Sequence, residues 1–258
     1  MPTSETAHGT EWRDAPAAPG PVRHEVHVWR ASLQCAEPQL LSFRSSLTPD
    51  ERARADRFRF ERDRAHFIAA RGLLRSILSR YLSEPPGEIR FIYGAYGKPF
   101  LSDRYGGSIY FNLAHSHGLA LFAIAEGREV GVDLELVRAD LAHLEIARRF
   151  FSKQEVDTLE ALPAEMRAQA FFDCWTRKEA YIKARGEGLS YPLAAFDVAL
   201  RPGEKATLLC TRGEPAEASR WSMYELSPAP GYKAALVAER HDYQLRCWQW
   251  RGFDEAIA

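Results

Sequence analysis

The sequence predicts an α+β fold made of two similar halves that meet near Gly127 to Gly131. Three observations support this prediction: a helix-capping signature occurs twice, a short helical segment resembles a later one, and strand patterns follow the helices in each half. In each half we expect helices packed on a small, mostly antiparallel sheet. We expect the active site in the cleft between the halves, a common location for ligand sites.

Two helix starts are marked by capping boxes, in which a hydroxyl residue is followed three positions later by Glu. These signatures are Thr48–Glu51 and Ser152–Glu155. Further along, His66–Gly72 aligns with Ala180–Gly186, and both segments are predicted to be helical. Because caps, helices and strands recur in the same order, we interpret the chain as an internal duplication.

Four strands are predicted from apolar and alternating runs bounded by short turns. Leu119–Ala125 and Val130–Val137 follow the helices of the first half. Lys233–Ala238 and Tyr243–Trp250 follow those of the second half. Each half is therefore expected to contribute its own small sheet.

Composition supports a globular protein, since 46% of the 258 residues are hydrophobic and 27% are charged. Residues 1–21 are rich in Pro, Ala and Gly without a periodic pattern, so we expect a flexible tail there. The N-terminal α+β half is then expected to span 22–130 and the C-terminal α+β half 131–258.

Several classes of protein and site are disfavoured. The chain has no basic start followed by an apolar run and no long apolar segment, so a cytoplasmic protein is expected. A formal net charge of −1 argues against broad nucleic-acid binding. The cysteines are far apart, which predicts buried free thiols instead of a zinc site or disulfides; they are Cys35, Cys174, Cys210 and Cys247.

An acidic strand is the first candidate for chemistry. In Gly131–Glu135, Asp133 and Glu135 share one strand face, about 6.6 Å apart at their Cα atoms, while Val132 and Leu134 share the other. Like charges so placed repel unless water or a cation separates them. The pattern fits either a metal site or an ordinary solvated sheet face.

A helix rich in charged residues is the second candidate. Trp175, Glu179 and Lys183 are spaced four apart and therefore lie along one side of the predicted helix. One interpretation is a surface Glu–Lys pair beside a core tryptophan. The other is that Glu179 adds a third carboxylate to a magnesium site, with Lys178 and Lys183 near phosphate oxygens.

Two loops could present further polar groups to a ligand. Lys98 follows Gly97 in a turn, and Asn112 and His115 lie in a polar segment ahead of an apolar strand. His115 and His117 together could also suggest a transition metal. No third soft ligand has a suitable spacing, so a transition-metal site is not favoured.

Five segments, taken in order, resemble the larger, two-halved (Sfp-type) family of 4'-phosphopantetheinyl transferases, which serves nonribosomal peptide, polyketide and siderophore assembly. The most specific segments are Gly131–Glu135 and Trp175–Ala180 with Lys183. The supporting segments are Arg71–Arg75, Gly97–Pro99 and Phe111–Ser116. The likeness spans roughly Thr48 to Ala238. The family fold is a pseudo-dimer of two α+β halves with the ligand between them, in agreement with the duplication inferred above.

The resemblance implies transfer of the 4'-phosphopantetheine arm of coenzyme A to a serine of an acyl or peptidyl carrier protein, with release of 3',5'-ADP. Asp133, Glu135 and Glu179 would bind magnesium, with manganese as an alternative ion. Glu179 would accept the serine proton, either directly or through a metal-bound water. The residues that would line the coenzyme A site are Arg71, Lys98, Asn112, His115, Lys178 and Lys183. A monomer is expected, because one chain already supplies both sides of the cleft.

Two positions depart from the family pattern. Ala114 stands where the family usually has Ser before the histidine, so one hydroxyl contact to a phosphate is expected to be absent. Glu51 stands where some relatives have a basic residue, and Arg54 is the nearest cationic substitute.

Two other functions fit parts of the same pattern. A magnesium-dependent nucleotide or phosphoester hydrolase would share the acidic ligands and the phosphate-binding lysines, without a protein acceptor. A non-catalytic coenzyme A binding module is the second alternative, although binding alone would not require three carboxylates beside an anionic ligand.

Overall fold

The computed structural model describes residues 10–16, 19 and 23–251, which form an α+β fold as predicted. The helices in this part of the chain are α1 (Glu37–Ser46), α2 (Pro49–Ala55), α3 (Glu61–Leu82), α4 (His143–Phe150), α5 (Lys153–Ala161), α6 (Ala164–Arg185) and α7 (Glu217–Arg220). Short 3-10 turns occur at Pro86–Glu88, Asp103–Tyr105, Gly188–Ser190 and Leu193–Ala195.

The larger sheet contains five strands. In spatial order they are β1 (Arg13–Asp14), β12 (Gln244–Gln249), β2 (Glu25–Ser32), β6 (Leu119–Glu126) and β5 (Ile109–Ser116). The pairs β2–β6 and β6–β5 are antiparallel, whereas β12 pairs in parallel with both β2 and β1.

The smaller sheet contains three antiparallel strands. They are β10 (Trp221–Leu226), β11 (Tyr232–Glu239) and β7 (Val130–Leu136), with β7 at one edge. Two separate hairpin-like pairs complete the strands: β3 (Phe91–Tyr93) with β4 (Pro99–Leu101), and β8 (Phe196–Val198) with β9 (Leu208–Thr211).

Two strands were assigned to the wrong sheet by the sequence pattern. The strand predicted at Tyr243–Trp250 exists as β12, but it pairs with β2 in the larger sheet. The strand predicted at Val130–Val137 exists as β7, but it pairs with β11 in the smaller sheet. A periodic run identifies a strand and its buried face, while the choice of partner depends on the packing of the whole chain.

The sheets and helices form four layers. An apolar core that includes Trp29, Leu74 and Phe122 lies between the larger sheet and helices α1 and α3. A second core lies between the two sheets, with Val28 and Val132 facing each other's sheet. A third core lies between the smaller sheet and helices α4 to α6. Each sheet is therefore covered by helices on its outer face and by the other sheet on its inner face.

Both predicted capping boxes are present. Thr48 accepts a hydrogen bond from the Glu51 amide, Ser152 accepts one from the Glu155 amide, and each Glu side chain bonds back to the amide of its cap residue. Each box precedes a helix of 22 residues, α3 in one case and α6 in the other. The heptapeptide alignment was wrong in register, however. Residues 66–72 lie in the first half of α3, whereas residues 180–186 cover the end of α6 and its cap.

Part of the tail expected to be flexible lies outside the described residues, namely 1–9, 17, 18, 20 and 21. The described part differs from that expectation, because Arg13–Asp14 pairs with β12 and the Trp12 indole donates to the Ser227 carbonyl at 2.8 Å. All four cysteines are free, as predicted, but only Cys174 and Cys247 are buried; Cys35 is half-buried and Cys210 is exposed. Among the described residues, no helix has the length and apolar character that crossing a membrane requires.

Candidate active site

Strand β7 presents its acidic face to helix α6 at very close range. A Cβ atom at Gly131 would lie 2.1 Å from the Ala180 carbonyl oxygen and 2.4 Å from the Ala184 amide nitrogen, so only glycine permits this approach. Asp133 and Glu135 follow Gly131 on the same face, and Val132 and Leu134 are buried between the sheets, as the alternation predicted. The glycine therefore brings the two carboxylates next to α6.

Lys183 of α6 forms an ion pair with Asp133 of β7. Its Nζ donates to Asp133 Oδ1 at 2.6 Å, and the lysine side chain remains 29% exposed. Asp133 Oδ2 is buried and accepts no hydrogen bond from any described residue. The carboxylate is thus only partly satisfied, which is costly for a buried charge.

Glu179 lies one helical turn before Lys183 and shares this electrostatic environment. Burial, followed by the negative charges of Asp133 and Glu135, raises the pKa of Glu179 to about 7, although Lys183 acts in the opposite direction. Burial and the charge of Asp133 also raise the pKa of Glu135. One lysine does not balance the three carboxylates.

The lysine opposite Glu135 on the neighbouring strand contacts other carboxylates. Lys233 of β11 is the cross-strand partner of Glu135, yet its Nζ contacts Asp173 Oδ1 at 2.9 Å and Glu225 Oε1 at 3.0 Å. Lys233 therefore does not neutralise Glu135, and the cations that oppose the rise of its pKa are Lys183 and Arg138.

The three carboxylates do not form a finished metal cage. Within residues 10–16, 19 and 23–251, no three His, Cys, Asp or Glu side chains converge closely enough to bind a metal ion as they stand. Lys183 forms an ion pair with Asp133 Oδ1 in this arrangement. The chemistry nevertheless fits a hard divalent cation. The donors are all oxygen, Asp133 Oδ2 lacks a partner among the described residues, and burial together with the neighbouring carboxylates raises the pKa of Glu179.

Lys178 does not face this site, which corrects the prediction that it contacts a phosphate. It is fully buried on the other side of α6, where Nζ donates to the Leu193 and Phe196 carbonyls at 2.8 and 2.6 Å. Nζ also lies 2.8 Å from Glu155 Oε2, the carboxylate of the second capping box. All three donors of the ammonium group are therefore used inside the protein. Its position between Arg177 and Glu179 in sequence did not reveal this inward direction.

Arg71 is also engaged in a structural ion pair, contrary to the expectation that it serves a ligand phosphate. Its guanidinium donates to Glu51 Oε1, with 2.8 Å for the Nε contact, and to the Tyr93 hydroxyl at 2.8 Å. Arg75 contacts the other oxygen of Glu51. Glu51, the residue that departs from the family pattern, is therefore the partner that neutralises Arg71.

Lys98 and His115 lie closer to the acidic site. Lys98 donates to Glu129 at 2.9 Å and to the Ala184 carbonyl at 3.1 Å, which joins the β3–β4 turn to the end of α6. His115 lies on β5, and partial burial of its ring, followed by the charges of Lys183 and His66, lowers its pKa. Lys183 and His115 are thus electrostatic neighbours across the two sheets.

Asn112 and Ser116 connect β5 to the acidic strand. Asn112 is buried, and its Oδ1 accepts a hydrogen bond from the Val132 amide at 3.0 Å. Ser116 Oγ donates to Glu135 Oε2 at 2.9 Å and accepts from the Leu136 amide at 3.3 Å. Ser116 could not be recognised from the sequence as a site residue, because its partners are distant in sequence and the two strands belong to different sheets.

An apolar pocket of about 310 Å³ opens beside Glu135. Its apolar walls are Leu141, Ile146, Phe171, Phe172 and Trp175. Trp175 lies one helical turn before Glu179, so the pocket continues the face of α6 that bears the acidic site.

Both parts of the chain match known protein families. Residues 29–127 match the profile described as 4'-phosphopantetheinyl transferase, N-terminal, and residues 129–237 match that of the 4'-phosphopantetheinyl transferase superfamily. The 4'-phosphopantetheinyl transferase HetI of Nostoc sp. is 41% identical over 88% of this chain and 92% of its own length. The 4'-phosphopantetheinyl transferase Sfp of Bacillus subtilis is 33% identical over 78% of this chain and 86% of its own length. The chain therefore belongs to the 4'-phosphopantetheinyl transferase superfamily and is a transferase.

Proposed function

We propose that this protein transfers the 4'-phosphopantetheine arm of coenzyme A to a serine of an acyl or peptidyl carrier protein, using the site between β7 and α6. The observation that carries the proposal is that Asp133 and Glu135 interact electrostatically with Glu179, beside Lys183. Three acidic groups next to a lysine suit a divalent cation and a pyrophosphate.

Asp133, Glu135 and Glu179 would bind magnesium, or manganese in its place. The ion would neutralise charge that develops on the pyrophosphate oxygens when the phosphorus–oxygen bond breaks. Lys183, released from Asp133, would donate to the same oxygens and hold the pyrophosphate in line with the serine.

Proton transfer is assigned to Glu179. The serine oxygen attacks the phosphorus that bears the pantetheine arm, 3',5'-ADP leaves, and the serine proton passes to the Glu179 carboxylate. The protein forms no covalent intermediate in this scheme.

We assign the phosphates of coenzyme A to Lys98, His115 and Lys183. Lys98 and His115 would bind the adenosine 3'-phosphate. Their positions support this assignment, because His115 neighbours Lys183 and Lys98 lies at the end of α6. Asn112 contributes indirectly, by fixing β7. Arg71 and Lys178 are left out, since both are committed to internal carboxylates.

The pantetheine arm is assigned to the apolar pocket beside Glu135. The arm leaves the phosphate next to the metal ligands, and the pocket begins at one of them. Aromatic and aliphatic walls suit a chain of methylene and amide groups.

We further propose that the molecule is a pseudo-dimer with its active site in the cleft between the halves, and that it acts as a monomer. The repeated capping box and long helix support the duplication. One chain supplies both β5 and the β7–α6 pair, so a second copy is not needed to complete the site. We place the protein in the cytoplasm, in nonribosomal peptide, polyketide or siderophore biosynthesis. Hydrolysis is not favoured, since the relatives described above are transferases.

The proposal is tested by incubating the protein with coenzyme A, magnesium and a panel of carrier proteins, followed by mass spectrometry of each carrier. We expect one carrier to gain the mass of phosphopantetheine, and a chelator to prevent the gain. Breakdown of coenzyme A without modification of any carrier would instead indicate a hydrolase.

A further inference from the structure

We propose that Ser116 is a positioning residue for the reaction, which fixes the Glu135 carboxylate through a hydrogen bond and ties the acidic strand to β5. The inference rests on the proposed function, because it assigns Glu135 to a divalent cation.

One edge of β7 has no partner strand in the described part of the chain. This strand pairs through its backbone with β11 alone, so its other edge exposes amide groups that need partners. The Val132 amide bonds to Asn112 and the Leu136 amide bonds to Ser116. Two side chains of β5, four residues apart, thus bind two amides of β7 that are also four residues apart. Side chains replace the missing strand at this edge.

The Ser116 hydroxyl has three hydrogen-bond partners. A serine hydroxyl has one proton and two acceptor lone pairs. The Leu136 amide uses one lone pair at 3.3 Å, and the proton is directed to Glu135 Oε2 at 2.9 Å. His117 Nδ1, at 3.0 Å, then donates to the second lone pair. This assignment satisfies every group and requires Glu135 to act as an acceptor.

The backbone beside Ser116 is held by a contact from β11. His117 has a left-handed φ of 47°, which is uncommon for a residue other than glycine, and its carbonyl accepts from the Tyr232 hydroxyl at 3.1 Å. The turn after Ser116 is therefore fixed from the β11 side as well. Ser116 is 7% exposed, so its hydroxyl has little freedom to turn toward water.

The hydrogen bond from Ser116 orients the Glu135 carboxylate. The hydrogen bond from Ser116 uses Oε2, whereas no described residue donates to Oε1. A carboxylate anchored through one oxygen presents the other to a cation in a fixed direction, and such outer contacts commonly contribute ~10-fold or more to metal affinity. Ser116 would thus act on the metal through Glu135, without touching it.

The experiment is a calorimetric titration of manganese alone into the full-length protein and its variants. We expect Ser116→Ala to bind manganese about tenfold more weakly, and its melting temperature should fall because the Leu136 amide loses its partner. Ser102→Ala is the matched control, because its hydroxyl is buried without a partner among the described residues, and its manganese affinity should equal that of the wild type. Unchanged affinity in Ser116→Ala would overturn the proposal.

A second comparison separates positioning from folding. Ser116→Thr and Ser116→Val have nearly the same shape and differ in the hydroxyl, so the Thr variant should bind manganese more tightly than the Val variant. In a Glu135→Gln background, Ser116→Ala should cause little additional loss, since both changes act through one carboxylate. Full additivity, or equal affinities for Thr and Val, would show a merely structural role. Failure of the wild type to bind manganese would contradict the proposed metal site itself.

Discussion

Lys183 of α6 donates a hydrogen bond of 2.6 Å to Asp133 of β7, and this ion pair joins the two elements that carry the candidate active site. The same contact leaves Asp133 Oδ2 without a partner in the described part of the chain. The lysine therefore binds one oxygen of the Asp133 carboxylate, and the other oxygen can still bind a cation. This arrangement and its surroundings can be tested by substitution of single residues.

Asp133→Ala should abolish transfer while preserving the fold. The change removes a buried carboxylate that is only half satisfied, so the melting temperature should not fall. Loss of a metal ligand removes several kcal/mol of transition-state stabilisation, and the rate should drop at least ~100-fold. The rate is measured with a carrier protein, and Asp140→Ala, an exposed acid after β7, is the control. Near-normal turnover of Asp133→Ala would refute its metal role.

Glu179 should make the metal-free protein less stable as the pH rises. Its pKa is about 7 when folded, against an ordinary value of 4.5, so the folded state keeps a proton that the unfolded state has lost between those values. The free energy of unfolding should therefore fall as the pH rises through that window. Thermal melts across the window should show a weaker decline for Glu179→Gln. Superimposable wild-type and variant profiles would contradict the raised pKa.

Lys183→Ala should impair both coenzyme A binding and the transfer rate, because the lysine is assigned to the pyrophosphate in the ground and transition states. Steady-state kinetics with varied coenzyme A should show a higher KM and a lower kcat. An unchanged response to coenzyme A concentration would remove Lys183 from the site.

Lys178→Met should affect stability, in contrast to Lys183. The substitution leaves the Glu155 carboxylate and the Leu193 and Phe196 carbonyls buried without their shared donor. Breaking such a buried pair costs about 3–5 kcal/mol, measurable by denaturant unfolding. The folded fraction should retain its KM for coenzyme A. A stable Lys178→Met protein with raised KM would restore Lys178 to the ligand site.

Ala114→Ser should strengthen the contact between β5 and β7. Ala114 is buried between Asn112 and Ser116, on the side of β5 that faces β7, so a hydroxyl there would face the strand and not a phosphate. One added hydrogen bond should raise the free energy of unfolding by about 1 kcal/mol. The KM for coenzyme A should not change. A lower KM without a stability gain would support the phosphate contact expected from the sequence.

Trp175→Ala should weaken coenzyme A binding more than 3',5'-ADP binding. The tryptophan forms part of the apolar pocket assigned to the pantetheine arm, which 3',5'-ADP lacks. Calorimetric titration of both ligands measures the difference, with Met166→Ala, an exposed apolar residue of α6, as the control. Equal losses for the two ligands would place the arm elsewhere.

The sequence predicted most features that depend on neighbouring residues. The capping boxes and the alternating faces of β7 are local properties, and both are present in the structure. The choice of sheet for β12 depends instead on contacts with β2, more than 200 positions earlier in the chain. Periodicity alone does not specify such a partner.

The same limit applies to the side chains of the site. Glu179 and Lys183 could be placed on one helix face from their spacing, but the inward direction of Lys178 depends on the loop carbonyls of Leu193 and Phe196. The neutralisation of Arg71 depends on Glu51, which is brought to it by the packing of α2 on α3. Ser116 escaped notice because its partners are on a strand of the other sheet.

The most direct test counts manganese ions bound per chain by electron paramagnetic resonance. The wild-type protein should bind one ion at this site, and the combined variant Asp133→Asn, Glu135→Gln and Glu179→Gln should lose it while remaining folded. Retention of the full manganese signal by that combined variant would contradict a metal site formed by the three carboxylates.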